Sequence, residues 1–250
     1  MRHVLVATLA LVLGSSFGHQ CAWAEPAADP QAQAASDLEA KGDALRRQQN
    51  YSEAVKCYRR ALRSGGNEAA LYNKIGMAQL RLRLYPAAQA AFEQAYKRNP
   101  SDANILNNMG VACHLRQRYD KAVKWYKRAL ALNESEPAFH YNLGGSWFAL
   151  AMFDRANAEY ARALELDPNA FANLEEQGIA GQSSPADRAR LCYLMAKLSA
   201  GRGDAERALA LLRKAREFGY PGLDNVYRDK EFAALRKDGR LEQAIHPGKK

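Results

Sequence analysis

Apolar and polar positions along this chain follow a helical period, and the pattern returns in phase every 34 residues between about residues 35 and 170. Gly42, Gly76, Gly110 and Gly144 form one column. Ala54, Ala88, Ala122 and Ala156 form a second, Tyr58, Phe92, Tyr126 and Tyr160 a third, and Ala61, Ala95, Ala129 and Ala163 a fourth. Within a unit the aromatic lies one helical turn beyond the first alanine, so the two share a face. The glycine stands further upstream, on a helix of its own. Each unit therefore predicts a pair of antiparallel helices. The glycine leaves no Cβ where the first helix crosses the second, and the alanine keeps the facing helix small. The aromatic fills the gap, and the last alanine admits the first helix of the next unit. Arg98-Asn99-Pro100-Ser101 and Asp167-Pro168-Asn169 end second helices, because proline cannot continue the hydrogen-bond ladder.

This register divides the chain into units at 35–68, 69–102, 103–136 and 137–170. A fifth, at 189–222, has Ala196, Ala208, Leu212 and Ala215 in the corresponding places. It is displaced by an 18-residue insertion, 171–188, where Gly178, Gly181, Gln182, Ser183, Ser184 and Pro185 read as a loop. After a turn at Gly219-Tyr220-Pro221-Gly222, residues 223–246 carry Leu223, Val226, Tyr227, Phe232, Leu235, Leu241 and Ile245. One or two short helices there would cap the last open core face. Residues 25–34 read as a flexible linker and 247–250 as a frayed tail.

These columns resemble the tetratricopeptide-repeat family. The fourth unit is most similar, with Leu143-Gly144, Trp147, Ala156, Tyr160, Ala163 and Pro168 in place. The first departs most: Lys41 precedes Gly42 and Gly66 stands where proline is usual, which suits a terminal unit whose outer face meets water. The resemblance implies an all-α, right-handed superhelical solenoid whose first helices line a concave peptide-binding groove. By register the groove residues are Asn73, Lys74 and Met77, then Asn104, Asn107, Asn108, Val111 and His114, then Tyr141, Asn142 and Phe148. Asn108 and Asn142 stand two residues before their glycines. An asparagine amide both donates and accepts, so a row of them can hold an extended main chain without reading its side chains. Members that bind chaperone tails use a carboxylate clamp of lysine, arginine and asparagine. Here the matching places hold Glu39 and Asp43, then Lys74, then Asn104 and Asn108. The acidic pair would repel a terminal carboxylate, so no clamp is expected.

The N-terminus and the charge add a location and a second reading. Arg2 and His3, an apolar run over Val4–Leu13 and the small residues of Ala22-Trp23-Ala24 have the form of a signal peptide, 1–24, and imply export to a periplasmic or secreted location. The apolar run is about half the roughly 20 residues that span a bilayer. The net charge is +9, and loss of 1–24 removes only Arg2 from it. Lys56, Arg59, Arg60 and Arg63, then Lys121, Lys124, Lys127 and Arg128, fall on second helices and face outward. A protein or peptide in the groove is the expected partner. The alternative is an anionic envelope polymer or membrane surface against the basic convex face. No specific nucleic-acid partner is expected.

Nothing in the motifs points to catalysis, a metal or a cofactor. There is no HExxH, no GxSxG and no phosphate-cradling glycine loop. Cys113 and His114 are adjacent on one helix and diverge, so they form no nucleophile–base pair. Cys57, Cys113 and Cys192 are too far apart in sequence for a CxxC site and read as buried thiols. The expectation is a non-catalytic scaffold.

Overall fold

The computed structural model describes residues 29–167 and 185–247. The signal peptide at 1–24, Pro168, the glycine-rich part of the insertion and the last residues of the tail lie outside the described residues. Ten α-helices form five successive hairpins: α1 (Pro30–Arg47) with α2 (Tyr51–Arg63), α3 (Glu68–Arg81) with α4 (Tyr85–Arg98), α5 (Ala103–Leu115) with α6 (Tyr119–Leu132), α7 (Pro137–Ala149) with α8 (Phe153–Leu166), and α9 (Pro185–Gly201) with α10 (Ala205–Glu217). Each second helix also packs on the next first helix, so the hairpins stack into an all-α solenoid. No strand occurs among the described residues.

Local chemistry sets the helix ends. Asn67 and Asp102 accept from main-chain N–H groups of the first turns they precede, at 3.1 Å from Ala70 and 2.8 Å from Asn104. The turns inside the first four hairpins put Gln49, Arg83, Gln117 and Ala151 at φ near +60°, one per repeat. Gly203 takes that place in the fifth, where the left-handed conformation carries no steric cost. Two boundaries differ from the sequence reading. Asp29 caps a helix that begins at Pro30, so residues 30–34 belong to α1 and are not linker. Pro185 opens α9, because a proline is well placed in a first turn, so 185–188 are helical and not loop.

The core follows from the repeat columns. A Cβ on Gly42, Gly76 or Gly110 would lie 2.4 Å from a ring carbon of Tyr58, Phe92 or Tyr126, and one on Gly144 would lie 2.7 Å from Tyr160. Side chains do not approach that closely, so each aromatic ring occupies the volume its glycine vacates. Both alanine columns are fully buried. Leu71, Ile105 and Phe139, with Ile75, Met109 and Leu143, face the preceding second helix and are buried. Their counterparts in the first repeat, Asp37 and Lys41, are exposed and polar, which ends the stack in water. At the other end Val226, Phe232, Leu235, Leu241 and Ile245 close the core over α9 and α10. This cap is made of three 3-10 turns, Leu223–Tyr227, Lys230–Phe232 and Leu235–Lys237, then α11 (Arg240–Ile245), instead of one or two plain helices. Segments this short gain too few hydrogen bonds to build longer helix. Tyr227, expected in the cap core, is exposed.

The aromatic column is not chemically uniform. Tyr58 donates to Asp43 Oδ1 at 2.8 Å. Tyr126 occupies the same place two repeats on, but Val111 stands where Asp43 would be, and the buried hydroxyl has no hydrogen-bond partner. A buried unpaired hydroxyl costs about 1–3 kcal/mol, while a bond to a charged group contributes a similar amount. Tyr126→Phe is therefore expected to raise the free energy of unfolding by about 1 kcal/mol, and Tyr58→Phe to lower it by about 1–3 kcal/mol. Urea denaturation of the two variants against the parent checks both signs.

Candidate functional site: the concave face of the first helices

The first helices α1, α3, α5 and α7 align side-chain columns on one side of the stack, and two of these columns interact between repeats. Counted from each repeat glycine, the residues three before it are Glu39, Asn73, Asn107 and Tyr141. Those two before it are Ala40, Lys74, Asn108 and Asn142. Stacking shifts neighbouring first helices so that these two columns meet across each repeat boundary. Asn142 Nδ2 donates to Asn107 Oδ1 at 2.9 Å, and Asn108 Nδ2 donates to Asn73 Oδ1 at 2.9 Å. Lys74 Nζ makes the same step to Glu39 Oε1 at 2.7 Å. All three bonds join residues 35 apart. Asn107 Nδ2 reaches Asn108 Oδ1 at 3.4 Å and links the two amide rungs.

The charged rung is a closed cluster. Lys74 also donates to Asp43 Oδ2 at 2.6 Å, Tyr58 donates to Asp43 Oδ1, and Arg46 stands 3.9 Å from the same carboxylate. Burial alone would raise the Asp43 pKa, but the hydrogen bonds from Lys74 and Tyr58 outweigh it and hold it below the ordinary carboxylate value. Burial would likewise lower Lys74, and its bonds to Asp43 and Glu39 raise it instead. Both groups stay charged, and their charges are spent on each other.

Not every residue expected in the groove faces it. Asn73, Lys74, Met77, Asn108, Val111 and Asn142 are half-buried along the concave face, and Asn104 is exposed. Asn107 is buried beneath its neighbours in the rungs. His114 is only 9% exposed, with Nδ1 2.8 Å from the buried Ser146 Oγ and its ring edge-on to Tyr119. It sits between α5 and α7 because its column packs against the next first helix. Leu80, in the same column, and Met77 pack against the cluster of Ala88, Phe92, Met109 and Ala112. Phe148 lies against Phe153 and the main core. Tyr141 is buried beside Tyr160, its ring centroid 5.8 Å away, and burial pushes its hydroxyl up to about 12. His114, Tyr141 and Phe148 are therefore packing residues between repeats, and the groove is narrower than the sequence register implied.

The pairing between repeats is the feature the sequence reading missed. Its signal was present: Asn107 and Asn108 are consecutive, and a lysine and a glutamate stand 35 apart in the same two columns. Of the outward basic residues, Arg128 lies over the Trp125 ring and donates to Tyr96 Oη at 2.7 Å, and Lys127 and Arg155 flank Trp147. Among the described residues no group of histidine, cysteine and carboxylate side chains is arranged to hold a metal. Cys57, Cys113 and Cys192 are buried free thiols, and burial raises the Cys113 pKa.

Stacked two-helix repeats with in-phase small residues and an open polar face define a helical-repeat scaffold. Two family models for the tetratricopeptide repeat match the chain, at residues 35–65 and 73–137. Over these residues the chain carries tetratricopeptide repeats, and the stack of hairpins has the fold of that family. No curated protein matches the sequence. Similar solved structures include TTC0263, a thermophilic tetratricopeptide-repeat protein of Thermus thermophilus, at TM-score 0.54 and 21% identity over 81% of this chain and 100% of that one. MamA of Desulfovibrio magneticus RS-1 gives 0.53 and 16% over 75% and 96%. The Cut9–Hcn1 APC/C hetero-tetramer gives 0.55 and 20% over 76% of this chain and 34% of that one. At these identities the likeness is one of fold.

His114 links the repeat boundary to pH. Burial depresses its pKa to about 4, whereas an unfolded histidine titrates near 6.5. Below pH ~6.5 the unfolded chain takes up a proton that the folded chain refuses, so stability falls with pH until about pH 4 and then levels. The expected loss is about 3 kcal/mol. Unfolding free energies measured from pH 7 to 4 for the parent and His114→Gln check it: the difference between the two curves should carry this slope.

Proposed function

We propose that the protein is an exported, non-catalytic interaction scaffold that holds an extended segment of a partner protein against the concave face of its first helices. Solenoids of this family serve generally as protein-interaction scaffolds, and fold alone does not select among partners. The observation that carries the finer reading is the row of amide rungs. Asn107 and Asn108 each spend one donor and one acceptor within the row, and an asparagine amide has a further N–H and a further lone pair to offer. Half-buried Val111 lies one turn from Asn108 on α5 and half-buried Met77 one turn from Lys74 on α3, so polar groups for a main chain alternate with apolar surface for its side chains. Stacked repeats hold these groups in place before binding, which lowers the ordering cost. Export rests on the basic, apolar and small-residue pattern of residues 1–24.

The double variant Asn108→Ala, Asn142→Ala tests the reading. Capture of envelope proteins by the tagged full-length chain is expected to fall at least tenfold for the specific partner, with helical circular dichroism unchanged. Capture that survives the double substitution and collapses as salt rises would place the partner on the basic convex face instead. Amino-terminal sequencing of the protein recovered from the envelope is expected to begin at Glu25.

A further inference from the structure

The concave face carries almost no free charge, although the chain as a whole has a net charge of +9. Helices α5 and α7 contain no lysine, arginine, aspartate or glutamate at all. The charged residues in the groove columns are Glu39, Asp43, Arg46 and Lys74 and, on α9, Arg190 and Lys197. Arg190 lies over the Phe153 ring, and each of the others has a partner of opposite sign: Lys74 with Glu39 and Asp43, Arg46 with Asp43, and Lys197 with Asp229 at 3.0 Å and Glu231 at 3.6 Å. His114, the one histidine of these columns, is held neutral down to about pH 4 by burial. The excess positive charge lies on the second helices. There Lys121, Lys124, Lys127 and Arg128 of α6 are exposed with no carboxylate partner among the described residues.

We infer that this trough selects an uncharged stretch of its partner, a linear segment free of lysine, arginine, aspartate and glutamate where it crosses α3, α5 and α7. The inference rests on the groove reading above and adds the chemistry of the ligand. A charged side chain laid against these walls would lose water and gain no ion in return, a cost that amides and apolar groups do not repay. An uncharged segment loses little on desolvation and recovers main-chain hydrogen bonds from the rungs. Glu39, Asp43 and Lys74 do not change this selection, because any ion offered to one of them competes with a bond already made, and Arg46, 3.9 Å from Asp43, lies on α1 outside the stretch from α3 to α7. The segregation also keeps the trough apart from the field of the basic outer face, so attraction of acidic chains is directed to the convex side.

Selection of random linear peptides on the immobilised full-length protein tests the inference. Enriched peptides are expected to be depleted of charged residues at their centres. The affinity of the best one should change less than about twofold between about 50 and about 500 mM salt. Placing Lys or Asp at its centre should weaken it at least tenfold. Val111→Asp puts into the wall a carboxylate that the Tyr126 hydroxyl can reach by the register of Asp43 and Tyr58 but that no cation of α5 or α7 neutralises, and selection on that variant is expected to return central Lys or Arg. Peptides that bind the parent with charged centres and lose binding in Asn108→Ala, Asn142→Ala overturn the neutral-ligand inference while leaving the groove in place. So does a Val111→Asp selection that returns an unchanged set. Peptides indifferent to the asparagine substitutions, or no enriched peptide, contradict the groove reading itself.

Discussion

Everything in this molecule depends on an aromatic ring seated where a glycine has no side chain. In each of the first four repeats the ring of the second helix fills the volume a Cβ would take on the first, at distances no substituted residue could keep. That contact sets how closely the two helices cross. The buried alanines on either side of the ring then fix the face on which the next hairpin lands. Because the same contact recurs, the stack propagates with one geometry, and its ends must be closed by exception. Asp37 and Lys41 do this with polarity at the start, and the 223–245 segment with buried apolar residues at the finish.

The concave face inherits its order from this stacking. Once neighbouring first helices lie side by side at a constant offset, the residue two before one glycine meets the residue three before the previous one. The chain has filled those meeting points with an ion pair in the first boundary and with amide pairs in the next two. The same bonds that tighten the repeats line up the groups that the proposed function offers to a partner. In that proposal stability and recognition are carried by one set of side chains, and the charges on that face neutralise each other while the outer face stays basic.

The repeat columns were legible because side chains of one kind return in phase, and packing a helix pair tolerates few alternatives at those places. The groove was only partly legible. Helical period says which residues point away from the second helix, but it does not say that the next first helix covers part of that arc. His114, Phe148 and Tyr141 fell in the covered part and became packing residues. The offset between adjacent first helices is a property of the stack, so the pairing of Asn73 with Asn108 could not be read from one repeat alone. Asp29 moved the start of α1 to Pro30 because an aspartate cap and a first-turn proline outweigh the linker-like composition around them. The terminal cap broke into 3-10 turns, since its apolar residues lack a sustained helical period.

Glycine–aromatic nesting thus sets the geometry of the amide rungs. The most direct test is the side-chain amide spectrum of the asparagines in Gly110→Ala, followed by nitrogen-15 NMR at a temperature where the variant remains folded. The Nδ2 signals of Asn73, Asn107, Asn108 and Asn142 are expected to shift or broaden, because an added methyl group against the Tyr126 ring must displace α5 against α6. Rung signals identical to those of the parent, in a folded Gly110→Ala protein, would contradict it.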